Sequence, residues 1–251
     1  MLSVQRRDAI LDLLKLEHSA TVKELSQRFF ISETSIRRDL EKLERTGFIK
    51  KTYGGAILVD GGNDVLSLDA RCQTEREAKS IIAQKAAELI QNGDVIFLDS
   101  SSTALNLVPY LQHFANLSII TNGVRIAGSL AEYPNLRIYC AGGLVAPNVF
   151  SCNGSLTIQM LSGMYADKAF ISPKAIKPHL GVFCANEEEA AIRKLMITHS
   201  KETVLLCAAK KLSSNAAFLL CTLDEIQTIV CDQTLESDWR KCFADFNIRV
   251  M

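Results

Sequence analysis

Residues 31–47 run ISETSIRRDLEKLERTG, and the reading of this stretch decides how the first part of the chain folds. Ser32 suits an N-cap, because its hydroxyl accepts from a backbone N–H that the first helical turn leaves unpaired. Behind it Ile36, Leu40 and Leu43 recur at i, i+4 and i+7, one apolar stripe for a core. Turned the other way are Thr34, Ser35, Arg37 and Arg38: two short hydroxyl side chains and two guanidiniums on the early turns. A helix so equipped fits a major groove, where Arg pairs bidentately with guanine edges or phosphates and Ser and Thr bond phosphates or base edges. In isolation the same pattern more often marks an amphipathic helix with a solvated charged face. The flanking sequence shifts that balance.

Upstream, residues 3–16 predict a helix with Ile10, Leu11 and Leu14 inward, followed by a short connection at 18–20. Thr21 and Glu24 make a T-x-x-E capping box that opens a second helix to about Phe29. A tight turn through Phe30 and Ile31 leads to Ser32. Two helices, a short turn and a third helix form a helix-turn-helix unit. Downstream, Gly47 ends the third helix as a C′ glycine does. Phe48–Tyr53 and Ala56–Val59 read as short strands around Gly54-Gly55, a hairpin expected to use a primed turn. Lys50 and Lys51 lie on its first strand, placed for a phosphate backbone. A helix-turn-helix followed by a basic hairpin is a winged helix, which makes double-stranded DNA the expected partner. The expected contacts are Thr34, Ser35, Arg37, Arg38, Lys50, Lys51, Gly54 and Gly55.

The 251 residues suit one large domain or a small one plus a medium one, and 48% apolar content argues for a packed chain. A formal charge of zero hides an asymmetry. Residues 1–58 carry 11 Lys/Arg against 8 Asp/Glu, and the remainder 17 against 20. The basic end is the one with the helix above, a modest excess that supports nucleic-acid binding weakly. The eight cysteines form no C-x-x-C pair, and several sit in apolar runs as small hydrophobes. The four histidines lack metal-ligand spacing, so neither metal nor cofactor is expected. No signal peptide is expected, and no apolar run approaches the ~20 residues needed to span a bilayer. A reduced, cytoplasmic setting without a membrane partner is the consistent expectation.

Residues 60–74 (DGGNDVLSLDARCQT) show no clear period and read as an interdomain linker. Thr74 and Glu77 suggest a second capping box, for a helix to about Gln91. From there apolar strands alternate with helices: strands at 95–98, 117–121, 136–140, 168–171, 203–207, 229–231 and 248–250, with helices from 104, to 132, at 187–199 and near 235–243. This alternation implies a parallel sheet with helices on its faces. Ligands of such sheets sit beyond the carboxyl ends of the strands. Three polar loops fall there: Asp99-Ser100-Ser101-Ser102-Thr103, Thr121-Asn122-Gly123 and Gly142-Gly143. The hydroxyls and free N–H groups of the first suit an anion such as phosphate, and Asp99 suits a sugar hydroxyl. Simple helix capping explains that loop alone about equally well; three such loops on one edge favour a pocket. Lys211, next to Lys210 after a strand, can reach a phosphate.

The residues also resemble the DeoR family of bacterial transcriptional regulators over nearly the whole chain. The resemblance is carried by Ser35–Ala56 (SIRRDLEKLERTGFIKKTYGGA), Arg76…Lys79…Ile82-Ala83, Asn92-Gly93-Asp94, Asp99…Ser102-Thr103, Thr121-Asn122-Gly123, Gly142-Gly143, Asp167–Ile171, and Glu189-Ala190…Met196-Ile197. It implies an α/β chain with an N-terminal winged helix-turn-helix domain and a sensor domain resembling the ribose-5-phosphate isomerase/CoA-transferase fold. It further implies a phosphorylated sugar or related effector, repression and a homo-oligomer. The expected domains are 1–58 (DNA binding), 59–74 (linker) and 75–251 (effector binding and oligomerisation). Two positions depart from the family pattern. Ser101 replaces a glycine, and would crowd a phosphate if that glycine needs a positive φ; Ala208 replaces an acid, with Lys211 retained.

Two rival readings remain at this stage. One is a sugar-phosphate isomerase-like enzyme pressing Asp99, Glu189 and Lys211 into service, although no acid–base pair is apparent and no catalytic set is expected. The other is a DNA-binding scaffold whose effector pocket no longer works.

Overall fold

The computed structural model describes residues 2–58 and 67–251. The chain divides into two compact units, one through Thr74 and one from Glu75.

The first unit contains α1 (Ser3–Glu17), β1 (Ser19–Thr21), α2 (Val22–Phe29), α3 (Glu33–Thr46), β2 (Ile49–Thr52), β3 (Gly55–Leu58) and α4 (Leu68–Gln73). The three principal helices form where apolar spacing and caps place them. In the Thr21–Glu24 box, Glu24 N donates to Thr21 Oγ1 at 3.2 Å and Thr21 N donates to Glu24 Oε2 at 2.8 Å. Ile10, Leu14, Leu25, Ile36, Leu40 and Ile49 are fully buried together. Each such side chain contributes roughly 1.5–3 kcal/mol by leaving water.

Two local readings change. Ser19 and Ala20, expected to be part of a connection at 18–20, form β1 together with Thr21, an edge strand in a three-stranded sheet of order β1-β3-β2. The hairpin loop is Tyr53-Gly54 rather than Gly54-Gly55, because Thr52 pairs with Gly55. Neither loop residue has a positive φ, so the turn is not of the primed type. Gly55 instead begins β3 and is pressed against β1: a Cβ there would lie 2.2 Å from the Ala20 carbonyl oxygen. Its glycine is required by close approach, not by the turn.

Residues 59–66 of the expected linker, including the last residue of the expected second wing strand, lie outside the described residues. The rest of that stretch holds α4, capped by Ser67 Oγ, which accepts from Ala70 N at 3.1 Å. The capping box expected at Thr74 and Glu77 does not form. Thr74 closes α4, its hydroxyl donating to Arg71 O, and Glu75 precedes the next helix with φ 53°.

The second unit runs α5 (Arg76–Ala87), β4 (Val95–Leu98), α6 (Ser102–Leu105), α7 (Val108–Leu111), β5 (Ser118–Thr121), α8 (Val124–Leu130), β6 (Arg137–Cys140), β7 (Leu144–Ala146), β8 (Ser151–Asn153), α9 (Ser155–Ser162), β9 (Ala166–Ile171), β10 (Ala175–Lys177), β11 (Gly181–Cys184), α10 (Glu187–Thr198), β12 (Ser200–Cys207), β13 (Phe218–Cys221), β14 (Thr228–Cys231), α11 (Ser237–Asp245) and β15 (Arg249–Val250). Seven strands form one parallel sheet in the order β15-β14-β12-β9-β4-β5-β6. The inner strands β4, β5, β9, β12 and β14 are mostly buried on both faces, whereas the edge strands β6 and β15 are largely exposed. Ile82, Leu98, Leu107 and Ile126 pack on one side, and Phe97, Ile192, Met196 and Phe243 on the other. Beside it stand a β7-β8 hairpin and a small antiparallel sheet, β10-β11-β13. From β4 the order steps one way through β5 and β6, and from β9 the other way through β12, β14 and β15. The carboxyl ends of β4 and β9 therefore mark the switch point, where open α/β sheets form their crevice.

Candidate nucleic-acid interface and effector site

α3 begins at Ser32, whose Oγ accepts from Ser35 N at 3.4 Å. With Ile36, Leu40 and Leu43 inward, Thr34, Arg37 and Arg38 are exposed on the other side. Ser35 is half-buried, and its hydroxyl accepts from Ser32 Oγ at 3.1 Å, so it serves the cap first. Arg37 pairs with Glu33 one turn back at 2.8 Å. Exposed i,i+4 pairs of this kind contribute only about 0.3–0.5 kcal/mol and are easily exchanged for a phosphate.

On the wing Lys50 is exposed. Lys51 is braced on α3, its N donating to Glu44 Oε1 at 2.8 Å and its Nζ to Glu41 Oε1 at 3.2 Å. Gly55 is buried in the sheet, which leaves Gly54 and the fully exposed Tyr53 at the wing tip. Sequence reading passed over Tyr53. An aromatic ring at the tip of a two-residue turn has nothing to pack on, and that is its signal.

It also passed over Asp39. This buried carboxylate on α3 accepts from Arg6 Nε of α1 at 2.6 Å, with Arg7 Nη1 at 3.7 Å. An acid falling on the apolar side of a helix pattern was the available clue, since buried charges need partners.

In the second unit the three expected loops do lie together, following the adjacent strands β4, β5 and β6. A Cβ on Gly123 would sit 3.1 Å from Ser100 Cα, so the second loop packs on the first. Gly143 has φ 146°, and a Cβ there would lie 2.2 Å from Thr157 Oγ1. Thr157 Oγ1 also donates to Gly142 O at 2.7 Å, tying the third loop to α9.

Several roles differ from those expected. Asp99 is fully buried and does not await a sugar hydroxyl. Its Oδ1 accepts from Ser101 N at 3.1 Å; its Oδ2 accepts from Ser172 N and Arg193 Nε, both at 2.9 Å. Arg193 Nη1 donates in turn to Glu189 Oε2 at 2.8 Å. Burial opposes the charge on Arg193, but the carboxylates of Glu189 and Asp99 outweigh it and hold its pKa above the ordinary value. Two of the three residues named in the enzyme reading, Asp99 and Glu189, are thus committed to one guanidinium.

Ser101 has φ −78°, and its hydroxyl accepts from Ala104 N at 3.0 Å. The backbone here does not need a glycine, so the departure from the family pattern is absorbed as a cap. The Thr121 hydroxyl accepts from Gly123 N at 3.0 Å and shapes its own turn. Thr103 Oγ1 accepts from Ser172 Oγ at 3.2 Å and is buried with it. At the other departure, Ala208, the following backbone N–H (Ala209) donates to Asp232 Oδ1 at 2.8 Å. An acid from the end of β14 thus holds this turn. Ser100 and Ser102 are buried in the first loop, and Lys211 Nζ donates to Ser172 Oγ at 2.6 Å. Burial pushes the Lys211 pKa down, partly countered by Cys207 and Asp99.

Ser172, Arg193 and the β7-β8 hairpin joined the site without being anticipated. Ser172 follows β9, a strand that was read, and the switch-point rule applied there would have found it.

A winged helix followed by a parallel α/β unit with a polar cluster at its switch point defines a two-part, ligand-responsive transcription factor. The chain belongs to the DeoR family of transcriptional regulators. Residues 6–61 match the DeoR-like helix-turn-helix domain, and residues 74–233 match the DeoR C terminal sensor domain. The HTH-type transcriptional regulator GolR of Listeria innocua is 32% identical over 250 residues, spanning 100% of this chain and 98% of that protein. The HTH-type transcriptional repressor GlcR of Bacillus subtilis is 33% identical over 233 residues, 93% of this chain and 90% of that one. Among solved structures, a D-ribose-5-phosphate isomerase in complex with phospho-erythronic acid aligns at 16% identity and TM-score 0.42, covering 55% of this chain and 54% of that one. Among the described residues no helix is long and apolar enough to cross a membrane.

Proposed function

We propose that this regulator represses carbohydrate-metabolism genes as a homo-oligomer, releasing or gripping its operator in response to a phosphorylated sugar. The observation that carries the DNA half is the division of α3: Ile36, Leu40 and Leu43 buried, Arg37 and Arg38 exposed on the opposite face. In this reading α3 enters the major groove, with Thr34, Arg37 and Arg38 at base edges and phosphates. Lys50, Lys51 and the wing tip rest on the backbone, and two protomers read half-sites about one helical turn apart or a multiple of it. The domains follow as 1–58 for reading DNA, 59–74 as the connection and 75–251 for sensing and assembly.

For the effector, Ser100, Ser102, the N–H groups of the first loop and Lys211 supply donors and positive charge for a phosphate. Asp99, Thr103 and Thr121 hold those groups in place. A preference of the ligand for one arrangement of the sensor, worth ~1–3 kcal/mol, gives a 5–150-fold change in operator affinity. Support for sugar genes as targets comes from relatives, which include a putative aga operon transcriptional repressor of Escherichia coli O157:H7, 26% identical over 236 residues.

The test is to select genomic fragments bound by the purified chain and titrate them with and without sugar phosphates. A fragment whose affinity moves at least about fivefold with one sugar phosphate supports the proposal. Selection of specific fragments that no phosphorylated sugar affects would leave a DNA-binding scaffold and end the sensing half.

A further inference from the structure

Among the described residues, three buried polar atoms beside the sensor loops have no hydrogen-bond partner: Asn122 Oδ1, Ser151 Oγ and Asn153 Oδ1. Their residues are only 4%, 1% and 8% exposed, so open solvent does not serve them. Leaving a buried acceptor unpaired is costly, and native proteins do so where something else completes the bond. The three are clustered by backbone pairing. Asn122 O accepts from Cys152 N at 2.8 Å, and Gly123 forms an antiparallel bridge with Ser151.

The facing direction follows from register. Ser151 and Asn153, two apart on β8, share one face. Gly123, opposite Ser151, points to the same side, where a Cβ would meet Ser100 Cα. That face of β8 therefore looks onto the loop following β4.

The chemistry of the wall is also fixed. Asn122 Nδ2 donates to Cys152 O at 3.1 Å, and Asn153 Nδ2 to Glu188 Oε2 at 3.4 Å. Both partners are pure acceptors, which settles the orientation of each amide and leaves its oxygen as the unpaired atom. The Ser151 hydroxyl and the Asn153 amide oxygen lie on that face, with the Asn122 amide oxygen on the adjoining turn, and amide oxygens only accept.

We infer that Asn122, Ser151 and Asn153 form the specificity wall of the sensor, reading hydrogen-bond donors at the end of the ligand remote from its phosphate. The inference rests on the sugar-phosphate reading of this site and deepens it. The ligand class is a phosphorylated sugar with free hydroxyls on its distal carbons. Deoxy analogues leave the wall unpaired, and a carboxylate or second phosphate meets two amide oxygens that cannot donate, with only the Ser151 hydroxyl to serve it. Sites built to bond a substrate hydroxyl discriminate strongly against analogues lacking it.

The experiment uses full-length protein and two readouts. In the first, calorimetry compares inorganic phosphate, D-ribose 5-phosphate, D-glucose 6-phosphate and the 2-deoxy form of each sugar. The expected result is at least about a tenfold preference for the hydroxylated partner of one pair, collapsing toward one in Asn153→Leu. Equal binding of both members of every pair that binds, or a preference untouched in Asn153→Leu, overturns the wall. In the second, thermal unfolding without ligand compares wild type with Asn153→Leu and Ser151→Ala. Because Ser151 Oγ and Asn153 Oδ1 are unpaired among the described residues, Ser151→Ala should melt at or above wild type and Asn153→Leu, which gives up only the 3.4 Å bond to Glu188, close to it. A drop of several degrees in both shows that the fold itself uses these groups and overturns the inference whatever binds. If nothing in the panel binds, inorganic phosphate included, the sugar-phosphate reading fails, and the melting result still decides the wall.

Discussion

Arg193 Nε donates to Asp99 Oδ2 at 2.9 Å, joining α10 to the loop after β4 across 94 residues of chain. Both side chains are almost wholly buried, and Glu189 shares the guanidinium. The link fixes the first polar loop from behind, so whatever binds in front meets a preset surface.

Breaking that link by Arg193→Met strands two buried carboxylates. The expected loss is about 3–5 kcal/mol of sensor stability. Asp99→Asn should cost less, since its amide still accepts. Equilibrium denaturation checks both, and a loss under about 1 kcal/mol for Arg193→Met would show the network to be dispensable.

On α3 the buried Asp39 and the exposed Arg38 are neighbours, and the proposed reading gives stability to the first and recognition to the second. Asp39→Ala removes the anchor of Arg6 and should destabilise the amino-terminal unit by about 3 kcal/mol. Arg38→Ala, exposed on the same helix, should leave its melting within ~0.5 kcal/mol of wild type. Thermal unfolding of both variants tests the assignment; reversed effects would put Arg38 in the core.

In the proposed reading Lys51 meets a phosphate rather than a base. Lys51→Ala should lower the slope of log K against log salt by about one contact and weaken all sequences alike. Titrations on specific and random duplexes at several ionic strengths measure this. An unchanged slope removes the wing from the interface.

These contacts also show what the chain discloses before folding. The helices of the reader and the main strands of the parallel sheet were legible because each carries its own apolar pattern, with caps at Thr21 and Ser32 for α2 and α3 and short apolar runs ending at Leu98, Thr121 and Cys140 for the strands. The β1 edge was not, since Ser19-Ala20-Thr21 becomes a strand only by pairing with Gly55–Ile57. Asp99 was found, yet its role was misread, because its partner Arg193 is distant in sequence and close only in space. Ser151 and Asn153 were invisible for the same reason: a three-residue strand has no period, and an unpaired oxygen exists only after burial is known.

Lys211 supplies the pH dependence. Burial lowers its pKa from 10.5, and the ammonium is the form that attracts a phosphate. Anion affinity should therefore fall as pH rises, beginning at lower pH than an ordinary lysine would give, and hold on the acid side of that transition. Calorimetry of phosphate binding between about pH 7 and pH 10, in wild type and Lys211→Met, reads it. An alkaline decline that persists in the variant would assign the titration to another group.

The most direct test of the whole account is binding of full-length protein to a fragment selected from genomic DNA, compared with Arg37→Ala and Arg38→Ala. The account predicts that at least one variant loses about 1–3 kcal/mol on the selected site and less on random DNA, while folding is preserved. Wild-type affinity retained by both variants, or no preference of the wild type for any fragment at low ionic strength, would contradict it.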